Sequence, residues 1–279
     1  MDKIPLSVII LSRQEEANIA YSIGNVISWV QDVFVLDSGS TDQTCSIAES
    51  LGAKVFYRQF DNYAAQRNYA IKELPTSTVW ILFLDADEYL SDELRSEIIN
   101  MFNNEEIDKN DGYYMKRRFY FLNKWIKYGG YYPTWILRLF RKEKALFERE
   151  VNEHINLNGK VSYLKNDFID HNRKGVHDWL EKHNKYATLE AQQFGKTHTG
   201  ISSFWGAQAE RKQWIRQNIW NKFLPPLVRP FIYFIYRYFI RFGFMDGKVG
   251  FIFHFLHGLV YTFLIDVKYL EMKYYSKKQ

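Results

Sequence analysis

Two carboxylates separated by one residue follow an apolar segment in the first third of the chain. Residues 79–84 are all apolar, and Asp85 and Asp87 come directly after them. An uninterrupted apolar run of this length is typical of a strand that is buried on both faces, as in a parallel sheet. Acids at the carboxyl end of such a strand lie where open α/β sheets bind ligands. The pattern therefore predicts a site for a divalent cation that carries phosphate groups.

The same two acids also precede a segment that is typical of a helix start. Residues 91–93 read Ser-Asp-Glu, and negative side chains stabilise the amino-terminal end of a helix. On this alternative, Asp85 and Asp87 would only favour the helix. The segments that come earlier in the chain favour the cation site instead.

Strands and helices alternate over the first hundred residues. Strands are predicted at residues 6–11, 33–36, 54–56 and 79–84, and helices at residues 15–30, about 42–51 and 62–74. This alternation implies right-handed crossovers and an α/β fold with a mostly parallel, Rossmann-like central sheet flanked by helices. After residue 104 the pattern changes. Two further strands are predicted at residues 113–122 and 136–140, and a helix at residues 176–194.

Four short motifs resemble those of the family 2 glycosyltransferases, which have the GT-A fold and use nucleotide sugars. They are the opening strand and loop at residues 7–19, the strand and turn at residues 35–42, Ala-Gln-Arg-Asn at residues 65–68, and Asp-Ala-Asp at residues 85–87. The motifs occur in the family's order, and the resemblance covers at least residues 6–155. The chain is similar to members that synthesise lipopolysaccharide cores and other polysaccharides.

The resemblance implies which side chains bind the donor, a nucleotide diphosphate sugar that is expected to be UDP-linked. Asp37 would accept a hydrogen bond from the uracil base, and Arg67 would contact the pyrophosphate. Asp87 would ligate Mg²⁺ or Mn²⁺, while Asp85 would contact the ribose, or the metal through water. The alternative for Arg67 is an exposed charge on a helix.

The opening loop would also contact the nucleotide, through Ser12 and Glu15. It departs from the family pattern, because residues 11–14 read Leu-Ser-Arg-Gln where Pro-Thr-Tyr-Asn is more common. The stacking aromatic is therefore missing, and Arg13 takes its place in the loop.

An inverting transfer needs one general base, which removes a proton from the acceptor hydroxyl as it attacks the sugar. Residues 147–154 resemble the segment that carries this base in lipopolysaccharide-core members, and Glu153 aligns with its acid. Glu150 and Glu148 are the next candidates. The alternative for Glu153 is a structural ion pair with an arginine such as Arg149 or Arg141.

A histidine and three aromatic residues are further candidates for the site. Family members often carry a histidine at the position of His171, so this residue is predicted to contact the metal, with a plain surface histidine as the alternative. Tyr131, Tyr132 and Trp135 would form a stacking surface for the acceptor sugar, or they would belong to the core.

Charge and aromatic content divide the chain unevenly. Residues 211–279 carry a net charge of +9 and 19 of the 50 aromatic residues, whereas residues 1–210 carry −4. This split predicts a catalytic domain at residues 1–205 and a basic, aromatic helical extension at residues 206–279. The single cysteine, Cys45, rules out an internal disulfide and indicates a reducing compartment.

The extension is predicted to lie on a membrane surface. Residues 249–265 contain no Lys, Arg, Asp or Glu, but this run of 17 residues is shorter than a typical span and contains His254 and His257. Amphipathic helices with aromatic faces and basic flanks bind the membrane interface. A homo-oligomer interface and a true span are the alternatives. Nucleic acid is not expected, because the apolar runs are too continuous for a phosphate-binding face.

Together these features predict an inverting, metal-dependent glycosyltransferase on the cytoplasmic face of the bacterial inner membrane, bound peripherally or monotopically. Its acceptor would be a lipid-linked glycan in cell-surface polysaccharide or lipopolysaccharide synthesis. The alternative is a non-catalytic, membrane-associated scaffold that keeps a nucleotide-sugar pocket. A nucleotidyltransferase is disfavoured, because residues 6–16 contain no glycine for a phosphate loop.

Overall fold

A computed structural model describes residues 3–147, 155–193 and 224–276 of the chain. The chain divides into two compact units. The sheet unit comprises Met1–Tyr120 and Pro133–Arg173, and the helical unit comprises Phe121–Tyr132 and Lys174–Gln279. The predicted boundary between residues 205 and 206 lies outside the described residues.

Four parallel strands form one half of the central sheet. They are β1 (Ile4–Ser12), β2 (Val30–Asp37), β3 (Lys54–Tyr57) and β4 (Trp80–Asp85), in the order β3-β2-β1-β4. The helices that connect and follow them are α1 (Ile19–Val26), α2 (Thr44–Ser50), α3 (Tyr63–Glu73) and, after β5 (Glu88–Leu90), α4 (Asp92–Asn103). The predicted alternation of strands and helices is therefore confirmed.

The other half of the sheet is mixed. It contains β6 (Gly112–Phe121), β8 (Trp135–Arg141) and β11 (Val161–Asp170), and the order continues from β4 as β8-β6-β11-β5. Strands β6 and β11 pair in parallel, whereas the pairs β4–β8, β8–β6 and β11–β5 are antiparallel. The short strands are β7 (Lys124–Trp125), and the pair β9 (Ala145–Phe147) and β10 (Ile155–Leu157).

Both faces of the sheet are buried, as the apolar strands predict. Leu6, Val8 and Ile10 of β1 pack into a core with α1 and α4, whereas Ile9 packs into a second core with Phe83 and with residues of α3. This alternation follows from the period of two along a strand. The sheet is thus a rigid support for the loops at its carboxyl edge.

The predicted helix at residues 15–30 was too long, since α1 begins at Ile19. Gln14 has a left-handed backbone with φ of 56°, and the Asn18 amide donates to the Glu15 carbonyl in a turn. Residues 14–18 therefore form a loop at the sheet edge rather than the first turn of a helix.

The helical unit contains the long helix α5 (Gly175–Gln193) and a helical hairpin. The first arm of the hairpin is α6 (Arg229–Ile235), which continues as a π-helical turn at Tyr236–Ile240. The second arm consists of α7 (Gly247–Phe253), a π-helical segment at His254–Tyr261 and α8 (Thr262–Ser276).

A buried ion pair joins the two arms of this hairpin. Arg229 Nε lies 2.8 Å from Asp266 Oδ1, and both residues are almost fully buried. The turn of the hairpin binds the segment before β8, because the Asp246 carboxylate accepts hydrogen bonds from the amides of Lys127 and Tyr128 at 3.2 and 2.9 Å. The second arm also binds α5 through Lys268, whose Nζ lies 2.6 Å from Asn184 Oδ1.

A stacked histidine in α5 makes stability depend on pH. The His183 ring stacks on Trp179 with 3.6 Å between the ring centroids, and burial lowers the pKa of His183 to about 4 although the Trp179 carbonyl raises it. The ordinary pKa in the unfolded chain is about 6.5. The unfolded chain therefore binds protons more readily below pH 6.5, and the free energy of unfolding falls as the pH drops from about 6.5 to about 4.

Replacing His183 with phenylalanine should reduce this loss of stability in acid, because the ring remains and cannot be protonated. Thermal melts at pH 7 and pH 5 should show a smaller acid-induced fall in Tm than the wild type, by a few degrees. His177→Phe changes an exposed histidine of the same helix and should retain the wild-type fall. Equal falls in all three proteins would contradict this assignment.

Candidate active site

The sheet register brings three predicted site residues to one edge. Ser12 is paired with Asp37 between β1 and β2, and Leu11 is paired with Asp85 between β1 and β4. Because these strands are parallel, their last residues meet at the carboxyl edge of the sheet. The structure therefore brings Ser12, Asp37 and Asp85 together, although they lie far apart in the chain.

The Asp37 carboxylate is held by donors from its own turn and from β1. Ser12 Oγ donates to Oδ1 at 2.8 Å, and the amides of Gly39 and Ser40 donate to Oδ2 at 2.8 and 2.7 Å. Gly39 has φ of +90°, a conformation that favours glycine and lets the turn fold back on the carboxylate. Asp37 thus has a fixed orientation at the sheet edge, and its contact with a base stays a prediction.

The opening loop is tied to the turn after β2. The Gln14 side chain accepts a hydrogen bond from the Thr41 amide at 2.6 Å, and the Glu15 amide donates to Thr44 Oγ1 at 2.7 Å. The Glu15 carboxylate accepts from Asn18 at 2.8 Å. Arg13 is exposed. The two loops predicted to bind the nucleotide therefore form one hydrogen-bonded layer.

Three consecutive side chains of α3 bind three different segments around the site. Gln66 Nε2 donates to Ser38 Oγ at 2.8 Å, and Arg67 Nη2 lies 2.9 Å from Asp85 Oδ1. The Asn68 amide group donates to the Phe147 carbonyl at 2.7 Å and accepts from the Phe147 amide at 2.9 Å. One turn of helix thus fixes the turn after β2, the end of β4 and the end of β9.

Arg67 is a buried residue rather than an exposed helix charge. It is 2% exposed, and burial lowers the pKa of its guanidinium to about 10, with the Asp85 carboxylate acting in the opposite direction. The side chain therefore stays charged at neutral pH. The structure brings Arg67 and Asp85 into direct contact, and the pyrophosphate contact of Arg67 stays a prediction.

Arg138 and Glu88 belong to the same cluster and were not predicted from the sequence. Arg138 Nη2 lies 2.8 Å from Asp85 Oδ2 and 2.6 Å from Glu88 Oε1. Burial opposes the charge of Arg138, but the Asp85 and Glu88 carboxylates raise its pKa above the ordinary value. Burial raises the pKa of the Glu88 carboxyl, and the Arg138 guanidinium opposes this shift. A signal was present, because Arg138 is the single charged residue of the predicted apolar strand at residues 136–140, and a buried charge needs a partner.

Asp87 and His171 lie beside each other at the end of the sheet. The His171 amide donates to the Asp87 carbonyl at 2.9 Å, which extends the pairing of β11 with β5. Burial and the nearby Arg173 lower the pKa of His171, while Asp87 raises it. The structure thus brings together the two residues predicted to contact a metal.

The two acids of the Asp-Ala-Asp motif differ in their contacts. Both oxygens of Asp85 are bound by arginines. In contrast, no side chain in the described part of the protein forms a hydrogen bond or ion pair with the Asp87 carboxylate. An open carboxylate and a neutral imidazole suit a divalent cation. The described residues contain no group of three or more such side chains that could hold a metal ion, so further ligands would have to come from elsewhere.

The predicted base, Glu153, lies outside the described residues, as do Glu148 and Glu150. The described chain stops just before this segment, at Phe147, which Asn68 holds by two hydrogen bonds. The strand that leads towards the predicted base is therefore fixed to α3.

The aromatic residues predicted for the acceptor have packing partners. In the helical unit, the Tyr131 ring lies 4.2 Å from the Arg237 guanidinium carbon, and its hydroxyl lies 3.1 Å from His257 Nε2. The Tyr132 ring packs edge-on against Trp125. In the sheet unit, Trp135 packs against Tyr163. These contacts favour the core alternative, above all for Tyr131.

Comparison with known proteins identifies the family. The profile of Glycosyl transferase family 2 matches residues 7–171. An uncharacterized glycosyltransferase of Rickettsia felis is 32% identical over 270 residues, which cover 89% of this chain and 84% of that protein. The lipopolysaccharide core biosynthesis glycosyltransferase LpsC of Rhizobium meliloti is 29% identical over 279 residues, covering 95% and 92%.

The solved structures that are similar to this chain include complexes with bound ligands. Glucosyl-3-phosphoglycerate synthase from Mycobacterium tuberculosis, in complex with Mn²⁺, UDP and glucosyl-3-phosphoglycerate, aligns over 42% of this chain and 44% of its own, with 22% identity and a TM-score of 0.33. The family match covers more than half of the chain and ends close to the end of the sheet unit. The chain belongs to glycosyl transferase family 2 and is a glycosyltransferase.

Proposed function

We propose that this enzyme transfers a sugar from a UDP-sugar to a lipid-linked glycan, with inversion at the sugar carbon and with the help of a divalent metal. One observation carries the donor part of the proposal. Asp37, Arg67 and Asp85 come from three separate elements and converge at the carboxyl edge of the sheet, where Arg67 Nη2 lies 2.9 Å from Asp85 Oδ1. Their spacing along the chain follows the family's motifs.

The metal would be Mg²⁺ or Mn²⁺, held by Asp87 and His171. The open Asp87 carboxylate and the lowered pKa of His171 suit this role. A bound divalent ion neutralises charge on the pyrophosphate and so helps the nucleotide to leave. Arg67 supports the same step from the protein, because its planar guanidinium suits phosphate oxygens. Asp37 orients the base through a directional hydrogen bond.

The acceptor hydroxyl attacks C1 of the sugar, and the bond from C1 to the UDP oxygen breaks in the same step. Glu153 removes the hydroxyl proton, and UDP leaves with the bonding electron pair. No covalent enzyme intermediate is required. A single general base of this kind contributes about 10²- to 10⁴-fold to the rate.

Replacing Glu153 with glutamine should therefore lower the transfer rate by about 100-fold or more and leave UDP binding unchanged. The readouts are UDP release with a lipid-linked acceptor and calorimetry with UDP and Mn²⁺. Glu143→Gln provides a control on a nearby described residue and should retain activity. Full turnover by Glu153→Gln would assign the base to Glu150, whose glutamine variant should then be inactive.

The helical hairpin is proposed to bind the cytoplasmic surface of the bacterial inner membrane. Large apolar side chains are exposed along both of its arms, among them Phe231, Ile235, Phe239, Phe251, Phe255 and Val267. The segment Gly243–Tyr275 is long and apolar enough to cross a membrane by length and composition alone. Such a segment is weak evidence for a span. The contacts of the hairpin favour a position in the membrane surface.

Those contacts tie the hairpin to the rest of the helical unit at two places. Asp246 in the turn binds the amides of Lys127 and Tyr128, and Lys268 in the second arm binds Asn184. A span would have to leave these partners, whereas an in-plane hairpin keeps them and presents its exposed apolar side to lipid. In-plane amphipathic helices bind through buried apolar area and attraction to anionic lipids.

The proposed identity of the acceptor is based on this location and on similarity to one relative. A lipid-linked glycan presents its growing end at the membrane surface, and one relative that covers nearly the whole chain is named for lipopolysaccharide core biosynthesis. The overall proposal is tested by measuring UDP release with purified protein, candidate UDP-sugars and lipid-linked acceptors. Absence of metal-dependent UDP binding in calorimetry would overturn the proposal and favour a non-catalytic scaffold.

A further inference from the structure

We infer that Arg138 and Glu88 are positioning residues, which hold the turn of Asp85 and Asp87 in the geometry that binds the donor and its metal. This inference rests on the function proposed above. The two residues lie on different strands, β8 and β5, and they contact the turn from the interior of the sheet unit. Neither belongs to the four motifs that define the resemblance to the family.

A closed ring of hydrogen bonds carries the inference. Arg138 Nη2 donates to Asp85 Oδ2 at 2.8 Å and to Glu88 Oε1 at 2.6 Å. Glu88 Oε2 in turn accepts from the backbone amide of Asp85 at 3.0 Å. The ring therefore fixes both the side chain and the main chain of Asp85. Arg67 binds the remaining carboxylate oxygen of Asp85.

The ring also fixes Asp87, because this residue lies between Asp85 and Glu88 in the chain. Asp85 and Glu88 are linked through the Glu88 carboxylate, and the Asp87 carbonyl is bound by the His171 amide. The backbone of Asp87 is thus held from both sides, while its carboxylate faces no protein partner in the described residues. Such support is what a metal ligand needs, since outer contacts set its orientation.

The contacts of the two acids explain why the first is held and the second is open. Arg67 and Arg138 both bind Asp85, and Arg138 also binds Glu88. The side chains of Arg67, Arg138 and Glu88 are 3%, 8% and 3% exposed, whereas that of Asp85 is 40% exposed. A divalent cation on Asp85 would compete with two guanidinium groups. The arrangement therefore directs the cation to Asp87 and leaves Asp85 as a fixed, partly exposed acceptor.

A purely stabilising role explains this cluster less well. Buried ion pairs are often replaced by apolar residues of similar volume without loss of stability, because desolvation cancels much of the attraction. Arg138 binds both acids through one nitrogen, Nη2, whose two N–H bonds have fixed directions in the plane of the guanidinium, whereas the ammonium group of a lysine can rotate. Arg138→Lys keeps the charge and changes the geometry, so it separates the two roles.

The test measures UDP binding in the presence of Mn²⁺ by calorimetry, together with Tm. Arg138→Lys should raise the Kd about 10-fold or more, in the range seen for residues that support metal ligands. Arg141→Lys is the matched control, because Arg141 lies on the same strand and pairs with Asp108 at 2.6 Å. It should keep the wild-type Kd within about twofold and a Tm close to that of the wild type, because its ion pair is partly exposed.

A second variant keeps the test decisive if Arg138→Lys does not fold. The double variant Arg138→Met with Glu88→Gln removes one charge of each sign and should fold, but it should bind UDP and Mn²⁺ as weakly as the single variant. Wild-type affinity in either folded variant would overturn the positioning role alone. A wild-type protein that does not bind UDP with Mn²⁺ would instead overturn the proposed function, and the inference with it.

Discussion

Replacing Asp87 with alanine should abolish the metal dependence of UDP binding and lower sugar transfer by about 100-fold or more. The expected loss is large because the variant removes an open carboxylate that would hold the cation against the pyrophosphate. The variant should keep a Tm close to that of the wild type, since no described side chain forms a hydrogen bond or ion pair with this carboxylate. Titration of UDP release with Mn²⁺, together with a thermal melt, measures both effects.

Two control variants make this result specific. Asp92→Ala removes an exposed acid from the first turn of α4 and should leave the metal dependence unchanged. Asp85→Ala removes the carboxylate that binds the buried Arg67 and Arg138, so it should lower the free energy of unfolding by about 3 kcal/mol as well as activity. If Asp87→Ala retained metal-stimulated transfer, the metal would have to bind elsewhere.

Replacing Phe231, Ile235 and Phe239 together with serine should release the enzyme from membranes. These residues are 51%, 50% and 55% exposed, and their spacing of four places them on one side of the first arm. Burying a large apolar side chain in lipid contributes about 1.5–3 kcal/mol when it is complete. Even partial burial of three such side chains predicts a loss of about 100-fold in binding to vesicles that contain phosphatidylglycerol, measured by sedimentation.

The matched control replaces Tyr57 and Tyr163 of the sheet unit with serine. These residues are 66% and 58% exposed, and their replacement should not affect sedimentation.

Point variants are preferable to removal of residues 211–279, because α5 packs against the second arm through Lys268. Release without a change in oligomeric state supports membrane contact. A triple variant that still sediments with vesicles would contradict membrane contact. If the triple variant changed from a dimer to a monomer in the absence of lipid, the exposed apolar side of the first arm would instead be an oligomer interface.

Local patterns were sufficient to predict the parallel half of the sheet. The apolar runs of β1, β2 and β4 and their polar carboxyl ends directly indicated buried strands and a ligand edge. The start of α1 was missed because tertiary hydrogen bonds from residues 41–44 hold the opening loop away from a helix. A pattern within one segment carries no information on such contacts.

Arg138 and Glu88 were missed for a related reason. Their ring depends on β8 lying antiparallel beside β4, and this pairing joins residues more than fifty positions apart in the chain. An arginine within the apolar segment 136–140 is a sign of a buried partner, but only the sheet order identifies Asp85 and Glu88 as its partners. The assignment of residues 121–132 to the helical unit likewise depends on contacts with the Asp246 turn.

The three consecutive contacts of α3 limit which length changes this protein can accept. Gln66, Arg67 and Asn68 point to three different segments because successive residues of a helix are rotated by about 100°. A single residue inserted earlier in α3 would turn all three side chains away from Ser38, Asp85 and Phe147 together. Insertions in α3 are therefore expected to be excluded among active relatives, whereas the exposed turn at residues 103–105 is free to vary in length.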